Sequence, residues 1–326
     1  MRMTYLQIPN ISKNNWKEVT PPMSATKEMS EYRMYTKPAE LHKAVNMLRG
    51  MVAGITSDGK ISEAESNELI HWCQLHAHLE DRHPFSEILP RINSALEDGI
   101  LDEDEREDIL WLCNNFLDAE KYYDLKTASI QFLHGLIHGI MSDGTLSDSE
   151  IKALNRWLED NSFLRGTYPF DELDSLIHTA LADGKVSEDE RAMLVAFCGN
   201  LIEFKDSMNL VEADFRTLQQ QYSIDGVCAL DPEILFEDRI FCFTGQAYKG
   251  TRSELAEEVE RLGGIFRNSV NKKTDYLIVG NAGNPCWAYS CYGRKIEEAV
   301  RLRKEGAKVQ IINELDFWDA VQQAES

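Results

Sequence analysis

Val270-Asn271-Lys272-Lys273-Thr274-Asp275-Tyr276-Leu277-Ile278-Val279-Gly280 decides how the C-terminal third of this chain folds. Its second half is an apolar run of strand length, bounded by Thr274-Asp275 and Gly280, and reads as a buried strand. Upstream, Ile240-Phe241-Cys242-Phe243 is a second such run and ends in Thr244-Gly245. Between them, Leu255, Val259 and Leu262 form the apolar stripe of a helix over 252–262, stopped by Gly263-Gly264. Ile265-Phe266 then starts another strand. Downstream, a helix over about 293–304 precedes a strand at Lys308-Val309-Gln310-Ile311-Ile312. A last helix runs from Glu314 to Val321 and carries Phe317 and Trp318. Short strands alternating with helices predict an α/β domain over 236–326, with a four-stranded parallel sheet covered on both faces.

Four ordered segments carry a resemblance: Phe243-Thr244-Gly245, Leu262-Gly263-Gly264, the quoted Val270–Gly280 stretch, and Gly293-Arg294-Lys295-Ile296-Glu297-Glu298-Ala299. Together they resemble the BRCT domain that ends bacterial NAD-dependent DNA ligases. No KxDG motif of a nucleotidyl-transfer lysine occurs in the chain, so the expectation is a binding module and no enzyme. The resemblance implies a phosphate site at Thr244 and Gly245, where a strand runs into a helix N-terminus. Free N–H groups and the helix dipole favour an anion at such a place. It also implies Arg252 at the start of the first helix and Lys295 at the start of the second. Lys272 and Lys273 are candidates for a neighbouring phosphate, against the plainer reading of solvated lysines. Gly263 and Gly264 read as a turn and Trp318 as core. The stretch 281–292 is longer and more aromatic than in the ligases. Its Trp287, Tyr289 and Tyr292 could stack a base, or pack on the helical part or on a second copy.

The preceding two thirds are built from repeats. Asp58-Gly59-Lys60-Ile61-Ser62-Glu63-Ala64-Glu65 returns from Asp98 to Glu105, Asp143 to Glu150 and Asp183 to Glu190. Odd copies are 85 residues apart, as are even copies. Arg49–Ile55 matches His134–Ile140 at the same offset, and Pro84-Phe85 matches Pro169-Phe170. In each copy Asp-Gly ends one helix, and a Ser or Asp with a Glu three residues later caps the next. The residue between turn and cap (Ile61, Leu101, Leu146 or Val186) should plug the core. Two tandem all-helical units follow, over 39–122 and 126–205. The loop pattern resembles the TerB-like family of tellurite-resistance proteins, which implies acidic all-α domains in bacterial stress or phage defence, sometimes with a cation-binding face.

The same loops place Asp, Gly, a hydrophobe and Glu at positions 5, 6, 8 and 12 of a calcium loop. Positions 1 and 3 hold no suitable ligand pair in any copy; the first copy has Gly54 and Thr56. The capping role therefore accounts for Asp58, Asp98, Asp143 and Asp183 better than a metal does, and no cofactor is expected. His71, His76, His78 and His83 lack zinc spacing.

Residues 1–38 read as an irregular leader, and 206–235 as one more helix followed by a linker. Seven scattered cysteines, no apolar leader and no bilayer-length apolar run point to a cytoplasmic protein with reduced thiols and no membrane role. The net charge is −21. Residues 236–326 hold 13 Lys and Arg against 14 Asp and Glu, leaving 21 against 41 before them. The helical part should repel nucleic acid, so any DNA contact falls to the C-terminal domain. The expected function is an adaptor in bacterial or phage DNA metabolism or defence. It would hold a DNA 5′-phosphate end or a phosphorylated partner, with proteins recruited by the acidic helices. The alternatives are a protein–protein scaffold or homodimer without a nucleic-acid role, and a cation-responsive regulator.

Overall fold

The computed structural model describes residues 23–57, 61–97, 101–119, 122–222, 227–280 and 294–324, with backbone alone over 23–37. The chain divides into two units, 1–41 and 42–326. Helix α1 runs over Met23–Ile55, so the expected irregular leader is helical from Met23. Met, Ala, Glu and Lys supply helix propensity there without an apolar period to announce it.

The helical part continues with α2 (Glu63–His76), α3 (Phe85–Ala95), α4 (Glu103–Ala119), α5 (Leu125–Ile140), α6 (Asp148–Asp160), α7 (Phe170–Leu181), α8 (Glu188–Cys198) and α9 (Glu212–Gln221). The capping residues of the four loop signatures do what their chemistry dictates. Ser62, Ser147 and Ser187 accept the backbone N–H of Glu65, Glu150 and Glu190, and those glutamates accept the cap N–H in return. Asp102 and Glu105 form the same reciprocal pair. Leu101 and Leu146 are buried, and Ile61 and Val186 half-buried. Gly144 and Gly184 take φ +79°, the left-handed turn that stops the preceding helix.

The 85-residue offset reappears as a contact. A Cβ on Gly50 would lie 2.0 Å from the Phe132 carbonyl oxygen, and one on Gly135 1.9 Å from that of Met47. One turn on, Gly54 meets the Leu136 oxygen and Gly139 that of Met51. Asn46 donates to Gln131, 85 residues away, at 2.9 Å. Helices α1 and α5 thus cross at glycines, and each partner sees the repeat-equivalent of what it presents, as in a two-fold interface. A buried pair ties the two repeats further. Glu68 of α2 and His138 of α5 meet at 2.6 Å, and the N–H groups of Met208 and Asn209 complete the Glu68 carboxylate.

The C-terminal part comprises β1 (Ile240–Thr244), α10 (Arg252–Arg261), β2 (Ile265–Arg267), β3 (Tyr276–Val279), α11 (Arg294–Lys304), β4 (Gln310–Asn313) and α12 (Glu314–Ala324). All pairings are parallel, in the order β2-β1-β3-β4. Alternation sorts the side chains by face. Phe241, Phe243, Tyr276 and Ile278 pack with α10 and α12; Cys242, Leu277, Val279 and Ile311 pack with α11. Trp318, expected in the core, is half-buried at its margin. Its indole N–H donates to Glu314 at 3.2 Å, which holds the polar end of the ring away from the apolar centre.

The expected linker is partly structure. Val227 and Cys228 are buried, and the Ala229 N–H donates to the Ile311 carbonyl of β4 at 2.7 Å. Beside it, Arg303 of α11 is buried against α7. Its guanidinium donates to both oxygens of Glu172, at 2.5 and 3.0 Å, and to Asp171 at 3.1 Å. A further bond at 2.6 Å reaches the Val309 carbonyl. Among the described residues, no helix is long and apolar enough to cross a membrane.

Candidate phosphate site

The carboxyl ends of β1 and β3 are held close together. Gly245 takes φ +84°, and a Cβ there would lie 3.4 Å from the Gly280 nitrogen. A Cβ on Gly280 would lie 2.3 Å from the Gln246 carbonyl oxygen. The Gly280 N–H donates to Thr244 at 2.9 Å and locks the two turns together. The backbone N–H groups of Gly245, Gln246 and Ala247 find no acceptor among the described residues.

Lys295 reaches this edge from the first turn of α11. Its ammonium donates to the Phe243 carbonyl at 2.8 Å and lies beside the Cys242 sulfur. An ammonium has three donors, so it retains capacity for an outside acceptor. Arg252, at the start of α10, also acts on Cys242. Burial pushes that thiol up, while the charges of Lys295 and Arg252 pull it down. Lys295 thus reaches the end of β1 directly, whereas the charge of Arg252 is felt at Cys242, in the middle of that strand. Arg252 is held by Asn268 at 3.1 Å, with its guanidinium 5.8 Å from the Phe266 ring.

Not every amide expected to be free is free. Glu314, fully buried at the start of α12, accepts the N–H groups of Tyr248 and Lys249 at 2.7 and 2.9 Å. Thr251 and Glu254 form a capping box at the head of α10. The loop between β1 and α10 is thus anchored by two of the protein's own carboxylates. Among the described residues, the amides of this loop without an acceptor are Gly245 to Ala247, next to Thr244, and Gly250.

Lys272 and Lys273 do not join this site. They precede β3, at the amino end of the parallel sheet, whereas Thr244 and Lys295 stand at the carboxyl end. Lys272 is well exposed and pairs with Glu305 at 3.5 Å. Lys273 is exposed too, and its N–H donates to Asn271. Closeness to β3 in sequence placed them at the wrong end of it. Trp287, Tyr289 and Tyr292 lie outside the described residues, as do Asp58 and Asp98. Asp143 accepts the N–H and hydroxyl of Thr145, both at 2.8 Å, and Asp183 accepts the N–H of Lys185 at 2.9 Å. Those carboxylates serve their own turns. Among the described residues, no three His, Cys, Asp or Glu side chains gather as a metal site. His76 bonds to the Trp72 carbonyl of its own helix, His78, just past α2, to the Leu75 carbonyl, and His83 to Glu87.

Comparison with known proteins bears on the C-terminal part as a whole. The BRCA1 C Terminus (BRCT) domain family matches residues 231–309. A DNA ligase of Fervidobacterium nodosum is 31% identical over 123 residues, covering 38% of this chain and 16% of that ligase. The DNA ligase of Thermosipho africanus is 39% identical over 77 residues, covering 24% and 10%. That of Syntrophotalea carbinolica is 36% identical over 81 residues, covering 25% and 10%. The chain thus spans well under a fifth of the length of these relatives. No solved structure matches it. The C-terminal part is a BRCT domain.

Proposed function

We propose that this chain is a non-catalytic adaptor whose BRCT domain holds a phosphate group, and that the phosphate is the 5′ end of a DNA strand. One observation carries the reading. Three acceptor-free amides, Gly245 to Ala247, follow the end of β1, where the Lys295 ammonium donates to the Phe243 carbonyl. Amides and an ammonium converging on one edge suit a compact dianion. Matches to DNA ligases point toward DNA as its carrier. A phosphorylated protein offers the same group and is the second reading.

The helical part has the complementary role. Its acidity of 41 Asp and Glu against 21 Lys and Arg before residue 236 repels the duplex beyond its end. The repeated loops, with their TerB-like pattern, belong on this reading to a surface that recruits proteins in bacterial or phage DNA metabolism or defence. No catalytic step is assigned to any residue.

Salt dependence tests the mode of binding. A site with two basic side chains should give a slope of log K against log salt of about −2 to −3. A slope of about −6 or steeper would mean that the protein tracks a long stretch of backbone, and the end-binding reading would fail.

A further inference from the structure

A cluster of cations lies at the other end of the sheet, beyond anything the phosphate reading uses. A cleft of about 470 Å³ opens between the second helical repeat and the amino ends of β1, β3 and β4. That volume is in the range of small-ligand sites. Four cations from separate parts of the chain line it. Lys126 comes from the first turn of α5, Arg165 from the loop before α7, Arg239 from just before β1 and Lys308 from just before β4.

Their surroundings leave this charge largely uncompensated. Asp275 is the one carboxylate in the lining. It accepts the Ile240 N–H at 2.8 Å and pairs with Arg239 at 3.4 Å. Lys126, Arg165 and Lys308 are exposed and have no carboxylate within 4 Å among the described residues. The Arg303 guanidinium also borders the cleft, but Glu172 and Asp171 satisfy it from behind. In a chain of net charge −21, three cations without an ion pair within 4 Å facing one cavity run against the general field, although the charge of Arg165 is also felt by Asp174. Like charges brought together without a counter-ion cost free energy, and a bound polyanion recovers it.

We propose that this cleft binds a small anion with two or more phosphate groups, carried by a nucleoside polyphosphate or by inorganic polyphosphate. Recognition is by the phosphates. The two tyrosines of the lining are committed elsewhere: Lys304 lies 6.0 Å from the Tyr168 ring, and the Tyr276 hydroxyl bonds to Leu235 and Glu233. Because Lys126 and Arg165 belong to the helical part and Arg239 and Lys308 to the BRCT domain, the ligand bridges the two parts and tightens their junction.

Calorimetric titration of the full chain at low salt tests this with tripolyphosphate, ATP and orthophosphate. The expected result is one site per chain for tripolyphosphate and ATP, and orthophosphate weaker by roughly tenfold or more. Equal affinity for the first two would assign recognition to the phosphate chain alone, and tighter ATP binding would add the nucleoside. The double variant Arg165→Glu/Lys308→Glu should weaken binding roughly a hundredfold. Both side chains are exposed and form no ion pair within 4 Å among the described residues, and circular dichroism verifies that the fold survives. Lys126→Ala supplies an independent single loss. Absence of heat at millimolar tripolyphosphate would overturn the proposal. So would binding that Lys295→Ala abolishes and the double variant keeps, because the ligand would then occupy the β1 edge instead.

Discussion

Arg303 of the BRCT domain and Glu172 of the second helical repeat form a buried two-pronged ion pair, 131 residues apart in the chain. Asp171 shares the same guanidinium. Glu172 and Asp171 hold the Arg303 guanidinium up, against the burial that pulls it down. The pair makes the junction between helices and sheet specific, because a slipped docking would bury three charges unpaired.

Arg303→Met should therefore destabilise the chain by about 3–5 kcal/mol, through two carboxylates left buried without a cation. Replacing Arg303, Asp171 and Glu172 together with apolar residues of similar size should recover much of that loss. Urea unfolding of the variants measures both. A neutral Arg303→Met would show that the junction is held by its apolar contacts.

Gly135→Ala should be among the most damaging single-methyl changes in the chain. The new carbon would sit 1.9 Å from the Met47 carbonyl oxygen, which is backbone and cannot turn aside. Helices α1 and α5 must separate, at a cost of roughly 1–3 kcal/mol or more. Gly306→Ala is the control. Its φ is +84° with open space around it, so it should show only the left-handed penalty of about 1–2 kcal/mol. Hydrogen exchange in α1 and α5 should rise in the first variant and not in the second.

Asp316 carries a pH signature. Burial and the neighbouring Asp319 and Asp231 push its carboxyl up to about 6. Its folded pKa thus lies above the unfolded value. The folded state holds the proton longer, and stability falls as pH rises from about 4 through about 6. Asp316→Asn removes that cost. Its melting temperature should exceed the wild type at about pH 7.5, with the difference closing toward about pH 4. A constant difference across that window would remove Asp316 as the source.

What the sequence made legible was local. The capping boxes at Ser62, Asp102, Ser147 and Ser187 needed only residues three apart. The four strands needed only short apolar runs between breakers. What escaped depended on distant partners. Arg303 reads as one more solvated helix position until α7 brings its carboxylates. Val227-Cys228-Ala229 reads as linker until the edge of β4 supplies a carbonyl for Ala229. At the candidate site, Thr244 and Gly245 could be placed because a strand-to-helix junction announces itself, whereas Arg252 and Lys295 came only with the family resemblance. The occupation of two loop amides by Glu314 was not, since Glu314 lies 66 residues beyond Tyr248.

Fluorescence anisotropy with short duplexes bearing either a 5′-phosphate or a 5′-hydroxyl, for wild type and Lys295→Ala, tests the central claim most directly. The account predicts tighter binding of the phosphorylated duplex, by roughly tenfold or more, and loss of that preference in Lys295→Ala. Equal binding of the two duplexes, or none to either at low salt, would contradict it.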